Sequence, residues 1–412
     1  MEFNLLIWIS IACGICHVVL FGFAHLPSQK RIPLWITIIL LYIAVVLTTY
    51  ELDDMAYQWL LIETSTLLGT LLISSNSSSK SLQAAWKFLL INSFGLGIAY
   101  LGIILISYSI PNVNTFNVQI ITDNVDKVEN PILLKAGLWL AIFGYSAKLG
   151  LFPNLFWVGD TYSESSSQVS GLLAGFLPVA VSFALVPILE LDRKVNVNLV
   201  SPRNLFFISS ILTILYTIFV QYNISDIRRI SAKIALYHSG VLGIFLWIGV
   251  DKTALYFILA SIILVKSILF LSMGAVRLVA GSREIDRMTE EKSFPRWISF
   301  LYVFTIFLCF TFPFSTNFYA DMFLVKLGLE KEYYWLIVVP ILGIILFGIT
   351  ISKILPLLKI PNGQMDAKIQ KIVKVRVTVY AILLIAILFF SSFGYRLLSS
   401  STIISLGVFH ER

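Results

Sequence analysis

The chain has 412 residues, 58% of them hydrophobic and only 13% charged, with a mean hydropathy of +0.88 and a formal net charge of +7. A soluble domain keeps about a quarter of its residues charged, so this composition excludes a soluble globular protein and leaves lipid to face most of the exterior. The basic surplus does not mark a nucleic-acid binder, because Lys and Arg sit in short connections between apolar runs, where they set membrane orientation.

A helix crosses the roughly 30 Å hydrocarbon layer with about 20 mostly apolar residues. About twelve such runs follow one another, at 4–26, 34–49, 57–75, 85–108, 133–152, 168–190, 204–222, 232–250, 253–279, 297–325, 332–357 and 375–398. The fold class is therefore all-α, a polytopic membrane protein, and residues 1–412 read as a single transmembrane domain. The longest polar stretch, 109–132, is too short to hold a core of its own. The first run follows Met1, Glu2 and Phe3 with no Lys or Arg before it, which predicts a retained helix, since a secretory signal needs a positive start. Within that run Cys13, Cys16 and His17 match a c-type haem attachment pattern. Attachment needs an exposed loop, so no haem is expected inside an apolar run. With Cys309 the chain holds three cysteines, too few for a disulfide framework.

Five ionisable residues lie inside the runs: Glu63 in the third (WLLIETSTLLGTLL), Lys148 in the fifth (AIFGYSAKLGLFP), His238 in the eighth (IALYHSGVLGIFL), Lys266 in the ninth (IILVKSILFLSMG) and Asp321 in the tenth (TFPFSTNFYADMFL). Each costs at least about 2.5 kcal/mol at the bilayer centre and needs a reason. A carboxylate paired with Ser or Thr, or a packed histidine, is the structural alternative for a single residue. Two carboxylates, two lysines and a histidine together form a set that can pass protons. Lys87, Glu190 and Arg277 lie near run ends, where snorkelling accounts for them.

Two runs are interrupted. Gly150 and Pro153 follow Lys148, and Pro313 and Asn317 precede Asp321. Proline breaks the helical ladder, and unsatisfied backbone at membrane depth is tolerated only against protein or a water-filled cavity. Broken helices at corresponding places in two halves point to a transport site. Residues 34–190 and 204–357 would each form a five-helix repeat with the interrupted helix fourth. The odd-numbered connections hold about seventeen Lys and Arg against about eight in the even ones. This predicts a multi-pass protein of the cell membrane with both termini outside. No Walker-type glycine loop, zinc spacing or nucleophile elbow occurs, so neither a cofactor nor a metal is expected, and the chain alone is not expected to catalyse a reaction.

Several blocks resemble one family. SLQAAWKFLLINSFGLGIAYLGIILI resembles the segment after the glutamate helix of the antiporter-like membrane subunits found in respiratory complex I, Mrp-type antiporters and hydrogenase-4-type complexes. GYSAKLGLFPNLFWVGDTYSESSSQVSGLLAG resembles their broken lysine helix and following loop, and DIRRISAKIALYHSG their basic loop and histidine helix. ALYFILASIILVKSILFLSMGAV resembles their lysine helix, and FPFSTNFYADMFLVK their second broken helix. The resemblance covers roughly residues 57–330. It implies a proton- or sodium-translocating subunit of a redox-driven complex, partnered by other membrane subunits and a peripheral redox module. In that reading Glu63 and Lys148 are the coupled pair of one half-channel, His238 and Lys266 carry the central axis, and Asp321 stands at the exit. The four residues Lys148, His238, Lys266 and Asp321 would line one continuous polar axis.

The chain departs from the family pattern. Two helices precede the glutamate helix where relatives have four, and Val179 stands where they carry lysine or asparagine. Tyr162 replaces a histidine, and Asp321 replaces the usual glutamate. The widest gap in the axis is therefore expected between Lys148 and His238. A secondary cation/proton antiporter, an inorganic carbon uptake subunit and a non-pumping scaffold are the alternatives.

Overall fold

A computed structural model describes residues 2–25, 32–111, 115–195, 201–291 and 293–400. Met1 and residues 401–412, on which the predicted placement of the termini bears, lie outside the described residues. Helix dominates because backbone in lipid must satisfy its own N–H and C=O groups. The first half runs α1 (Glu2–His25), α2 (Ile32–Thr48), α3 (Met55–Ser74), α4 (Ser79–Tyr108), the short α5 (Val118–Asp123), α6 (Pro131–Leu149), α7 (Phe156–Glu164) and α8 (Ser167–Lys194). The second half runs α9 (Pro202–Gln221), α10 (Ile227–Ile248), α11 (Lys252–Ala280), the short α12 (Ile285–Glu291), α13 (Arg296–Cys309), α14 (Thr316–Glu330), α15 (Val338–Ile354) and α16 (Ala367–Ser400).

Apart from their ends and the two interruptions, the predicted apolar runs fall on helix among the described residues. Among the described residues nine helices are long and apolar enough to cross a membrane, and α2 and α13 are shorter apolar helices. The helix that carries Glu63, α3, stands outside this set because Gln58, Glu63 and its hydroxyl residues dilute the run. The centre of the bundle is set by α10 and α11, whose spanning segments are 94% buried, whereas those of α9, α15 and α16 are 33% buried and present apolar side chains outward. Helices α4 and α6 come into backbone contact where Gly102 faces Gly137 and Ala141, since a β-carbon at Gly102 would meet backbone atoms of both. Small residues permit such contact where lipid supplies no hydrophobic drive between helices.

One backbone device occurs twice. Asp54 caps α3, its Oδ1 accepting from the N–H groups of Ala56 (2.9 Å) and Tyr57 (3.0 Å). The same corner bridges Asn117 antiparallel, with Met55 N–H donating to Phe116 O (2.9 Å) and Val118 N–H to Asp53 O (2.8 Å). Asp226 caps α10 through Arg228 N–H (2.8 Å) and bridges Glu284, with Ile227 N–H donating to Arg283 O (3.0 Å) and Ile285 N–H to Ser225 O (3.2 Å). Burial pushes the Asp226 carboxyl above the usual carboxylate range, while the N–H of Arg228 and the Arg283 guanidinium pull the other way. In both corners a short helix follows the bridge, α5 in the first and α12 in the second.

The two interruptions have different chemistry. At the first, Gly150 takes the left-handed conformation (φ 74°) that a side chain disfavours, and α6 ends there. The resemblance suggested a loop after this break, but residues 156–164 form α7. Its Trp157 and Val158 are buried, and the Trp157 indole N–H donates to Ala147 O (3.1 Å), satisfying a carbonyl at the end of α6. At the second break α13 ends at Cys309 and α14 starts after Ser315, whose hydroxyl caps Phe318 N–H (3.1 Å).

Candidate functional site

The five ionisable residues fall into two clusters, on either side of α8. In the first, Lys148 is fully buried on the last turn of α6. Its ammonium donates to Thr66 Oγ1 (2.6 Å) and lies 4.8 Å from the centre of the Phe88 ring. Thr66 in turn contacts Glu63 Oε2 (3.3 Å), one turn earlier on α3, and Ser93 of α4 donates to Glu63 Oε1 (2.6 Å). Glu63 and Lys148 therefore share a network through one hydroxyl, without a direct ion pair. Side chains three apart on a helix share a face, so the Glu63–Thr66 spacing is legible in the sequence, although a threonine in an apolar run carries no signal of its own.

In the second cluster His238 Nε2 lies 2.8 Å from Cys309 O, the carbonyl at the end of α13. The Asn317 amide donates to the same carbonyl (2.8 Å) and stands 3.3 Å from His238 Nε2. A carbonyl only accepts, so Nε2 must carry the proton, and the longer Asn317 contact is not a second hydrogen bond to it. Asp321 Oδ2 accepts from Thr311 (2.7 Å) within the same break. His238, Asn317, Asp321 and Ser261 line one cavity of about 30 Å³, above the roughly 10–15 Å³ that one water requires, with the two to four polar partners it needs. Lys266, fully buried on α11, donates to Ser239 (3.3 Å), the residue beside His238.

Between the clusters stands α8. Its Leu173 packs against the Gly69 and Phe88 side, and Gly171 and Gly175 pack on α11. From 171 to 181 the helix carries no polar side chain, and Val179 is fully buried in that stretch. Tyr162 is buried in α7, edge-on to Trp157 and Phe270, so it ties α7 to α11. A third polar group enters from α1, where His17 is 1% exposed with Nε2 3.0 Å from Ser267 Oγ, next in the chain to Lys266. His17 Nδ1 has no hydrogen-bond partner. In the sequence this histidine stands out only through the haem-like pattern of Cys13, Cys16 and His17. A polar side chain inside an apolar run was the signal that could have found it.

Comparison with known proteins decides the family. The family model described as NADH:quinone oxidoreductase/Mrp antiporter, TM, matches residues 53–348. The chain belongs to this family. A hydrogenase-4 component F homolog of Methylacidiphilum infernorum is 23% identical over 239 residues, 57% of this chain and 50% of that protein. A Na(+)/H(+) antiporter protein of Alkalihalophilus pseudofirmus is 21% identical over 332 residues, 79% of this chain and 65% of its own length. The chain thus spans between half and two thirds of these two relatives. In the solved membrane-bound sulfane sulfur reductase, an archaeal respiratory membrane complex, one subunit superposes with a TM-score of 0.80 at 17% identity, over 96% of this chain and 80% of that one. The match shows that the fold of that subunit is shared across almost the whole chain, including α1 and α2 ahead of residues 53–348.

Proposed function

We propose that the chain is an ion-translocating subunit of a redox-driven complex in the cell membrane, moving protons or sodium ions while a peripheral module carries the electron chemistry. The observation that carries this reading is the pairing of each broken helix with a buried ionisable cluster. Lys148 ends α6 beside Thr66 and Glu63, and Asp321 follows the α13–α14 break beside His238. Backbone is interrupted at membrane depth where it can face polar groups. The relatives' names support the same class, as one is a hydrogenase component and another belongs to a Na(+)/H(+) antiporter.

Two five-helix repeats, 34–190 and 204–357, underlie this arrangement. The repeated capped corner supports them, since α3 and α10 are each the second helix of their repeat and each bridges the chain after the third. In this role Glu63 modulates Lys148, Lys266 and His238 hold charge centrally, and Asp321 exchanges with the far side. With odd connections in the cytoplasm, the α7–α8 corner and the α11–α12 corner lie on the cytoplasmic side.

One observation favours a second reading, a membrane scaffold without pumping. The α8 stretch from Gly171 to Val181, which stands between the two clusters, carries no polar side chain of its own. Proton uptake by the purified complex in proteoliposomes separates the readings. Lys148→Met should assemble and lose coupled uptake, whereas a scaffold would show no uptake in the wild type and no effect of the substitution.

A further inference from the structure

The end of the bundle where α8 starts and α11 finishes holds more positive charge than its acids neutralise. Glu164 pairs with Arg283 (2.9 Å), and Asp226 also faces Arg283 (3.4 Å). On α16, Arg376 is 7% exposed, and its Nε and Nη1 have no hydrogen-bond partner. Among the described residues the charged group that acts on it is another cation, Arg277 of α11. Burying a charge without a partner is costly, and intramembrane arginines ordinarily pair with an anion or backbone carbonyls. Among the described residues Nε and Nη1 of Arg376 meet neither.

The surroundings of this guanidinium supply further donors. A β-carbon at Gly274 would stand 2.7 Å from Arg376 Nη1 and would collide with Ser167 Oγ, so glycine at 274 leaves these two groups room to converge. Ser167 and Gln168 form the first turn of α8, a helix of 28 residues. First-turn N–H groups have no intrahelical acceptor and the helix dipole is positive there. Gln168 is 2% exposed, its Oε1 accepts from Ser167 (3.2 Å), and its Nε2 has no partner. Arg277 is exposed, so the group opens to the outside at that edge.

We propose that α8, α11 and α16 form a binding site for a phosphate group, carried by an anionic phospholipid headgroup or by free inorganic phosphate. A guanidinium fork, a second arginine and a helix N-terminus match the charge and the oxygen geometry of phosphate. The site lies apart from the two ionisable clusters and does not depend on ion movement.

The test uses the full chain purified in mild detergent and titrated with phosphatidylglycerol, phosphatidylcholine or inorganic phosphate. Thermal midpoint and co-purifying phospholipid are measured for wild type, Arg376→Gln and Arg376→Lys. Wild type should show a saturable rise in midpoint, about ten-fold weaker in apparent affinity for Arg376→Gln, as expected on losing a charge-assisted hydrogen bond. A rise with phosphatidylglycerol alone assigns the lipid, and an equal rise with inorganic phosphate assigns the free ion. If Arg376→Gln does not fold, Arg376→Lys decides, since it keeps the charge, loses the fork and should still bind several-fold more weakly. No saturable rise with any of the three ligands overturns the proposal, and so does a substituted chain that binds as wild type does.

Discussion

Among the described residues Thr66 is the hydroxyl through which Lys148 and Glu63 meet, and Thr66→Val removes it with little change of volume. The ammonium of Lys148 is fully buried, donates to Thr66 Oγ1 at 2.6 Å and lies 4.8 Å from the centre of the Phe88 ring. A hydrogen bond to a charged group contributes about 1.5–3 kcal/mol, while a cation–π contact contributes about 2 kcal/mol when desolvated. The substitution therefore removes a contribution at least comparable to that of the aromatic ring. If the network passes charge during turnover, a loss of about 1.5–3 kcal/mol slows uptake roughly ten- to hundred-fold. Proton uptake by proteoliposomes of the intact complex is the assay, with Thr66→Ser as the control that keeps the hydroxyl. Wild-type uptake by Thr66→Val, in protein that assembles normally, would refute the coupling of Glu63 to Lys148 through this residue.

Other outcomes follow from the same contacts. Asp321→Asn should assemble and lose at least ten-fold in uptake, because the amide keeps the Thr311 hydrogen bond but carries no exchangeable charge; infrared difference spectra should lose a carboxyl band. His17→Gln should reduce uptake several-fold while leaving the thermal midpoint within a few degrees, if the buried imidazole beside Ser267 exchanges protons; an unchanged rate assigns it to packing. Lys135→Met should destabilise the chain by about 3–5 kcal/mol, since it strands Asp192 in a pair that is 2.7 Å apart and almost fully buried. Adding Asp192→Leu to Lys135→Met should recover most of that loss in thermal unfolding.

The sequence made some features plain and hid others. Long apolar runs announce helices whatever their neighbours, because lipid imposes the same demand on each backbone group. Lys148 and Asp321 stood out because charge in such a run is costly. The partners did not stand out, since Thr66, Ser93, Thr311 and Ser239 belong to residue types scattered through the whole chain. Which of them meets an ionisable group depends on helix packing that periodicity does not specify. Helix α7 was hidden for a related reason: its nine residues include Gly159, Asp160 and Glu164 and read as polar connection, yet its buried face of Trp157, Val158 and Tyr162 holds it against the core. Val179 stands in the sequence as a missing polar residue, and in the structure it belongs to a whole apolar segment of α8.

The Lys135–Asp192 pair has a mechanical consequence for α6. Lys135 lies in the first turns of that helix and is fastened to the far end of α8, where Ser201 also donates to Asp192. Lys148 lies thirteen positions further along, roughly 20 Å at the rise of an α-helix. One end of α6 is thus anchored and the other terminates at a left-handed glycine with no helical continuation. Displacement that reaches Lys148 through Gly150 and α7 is therefore opposed at the other end of α6 by the Lys135–Asp192 pair.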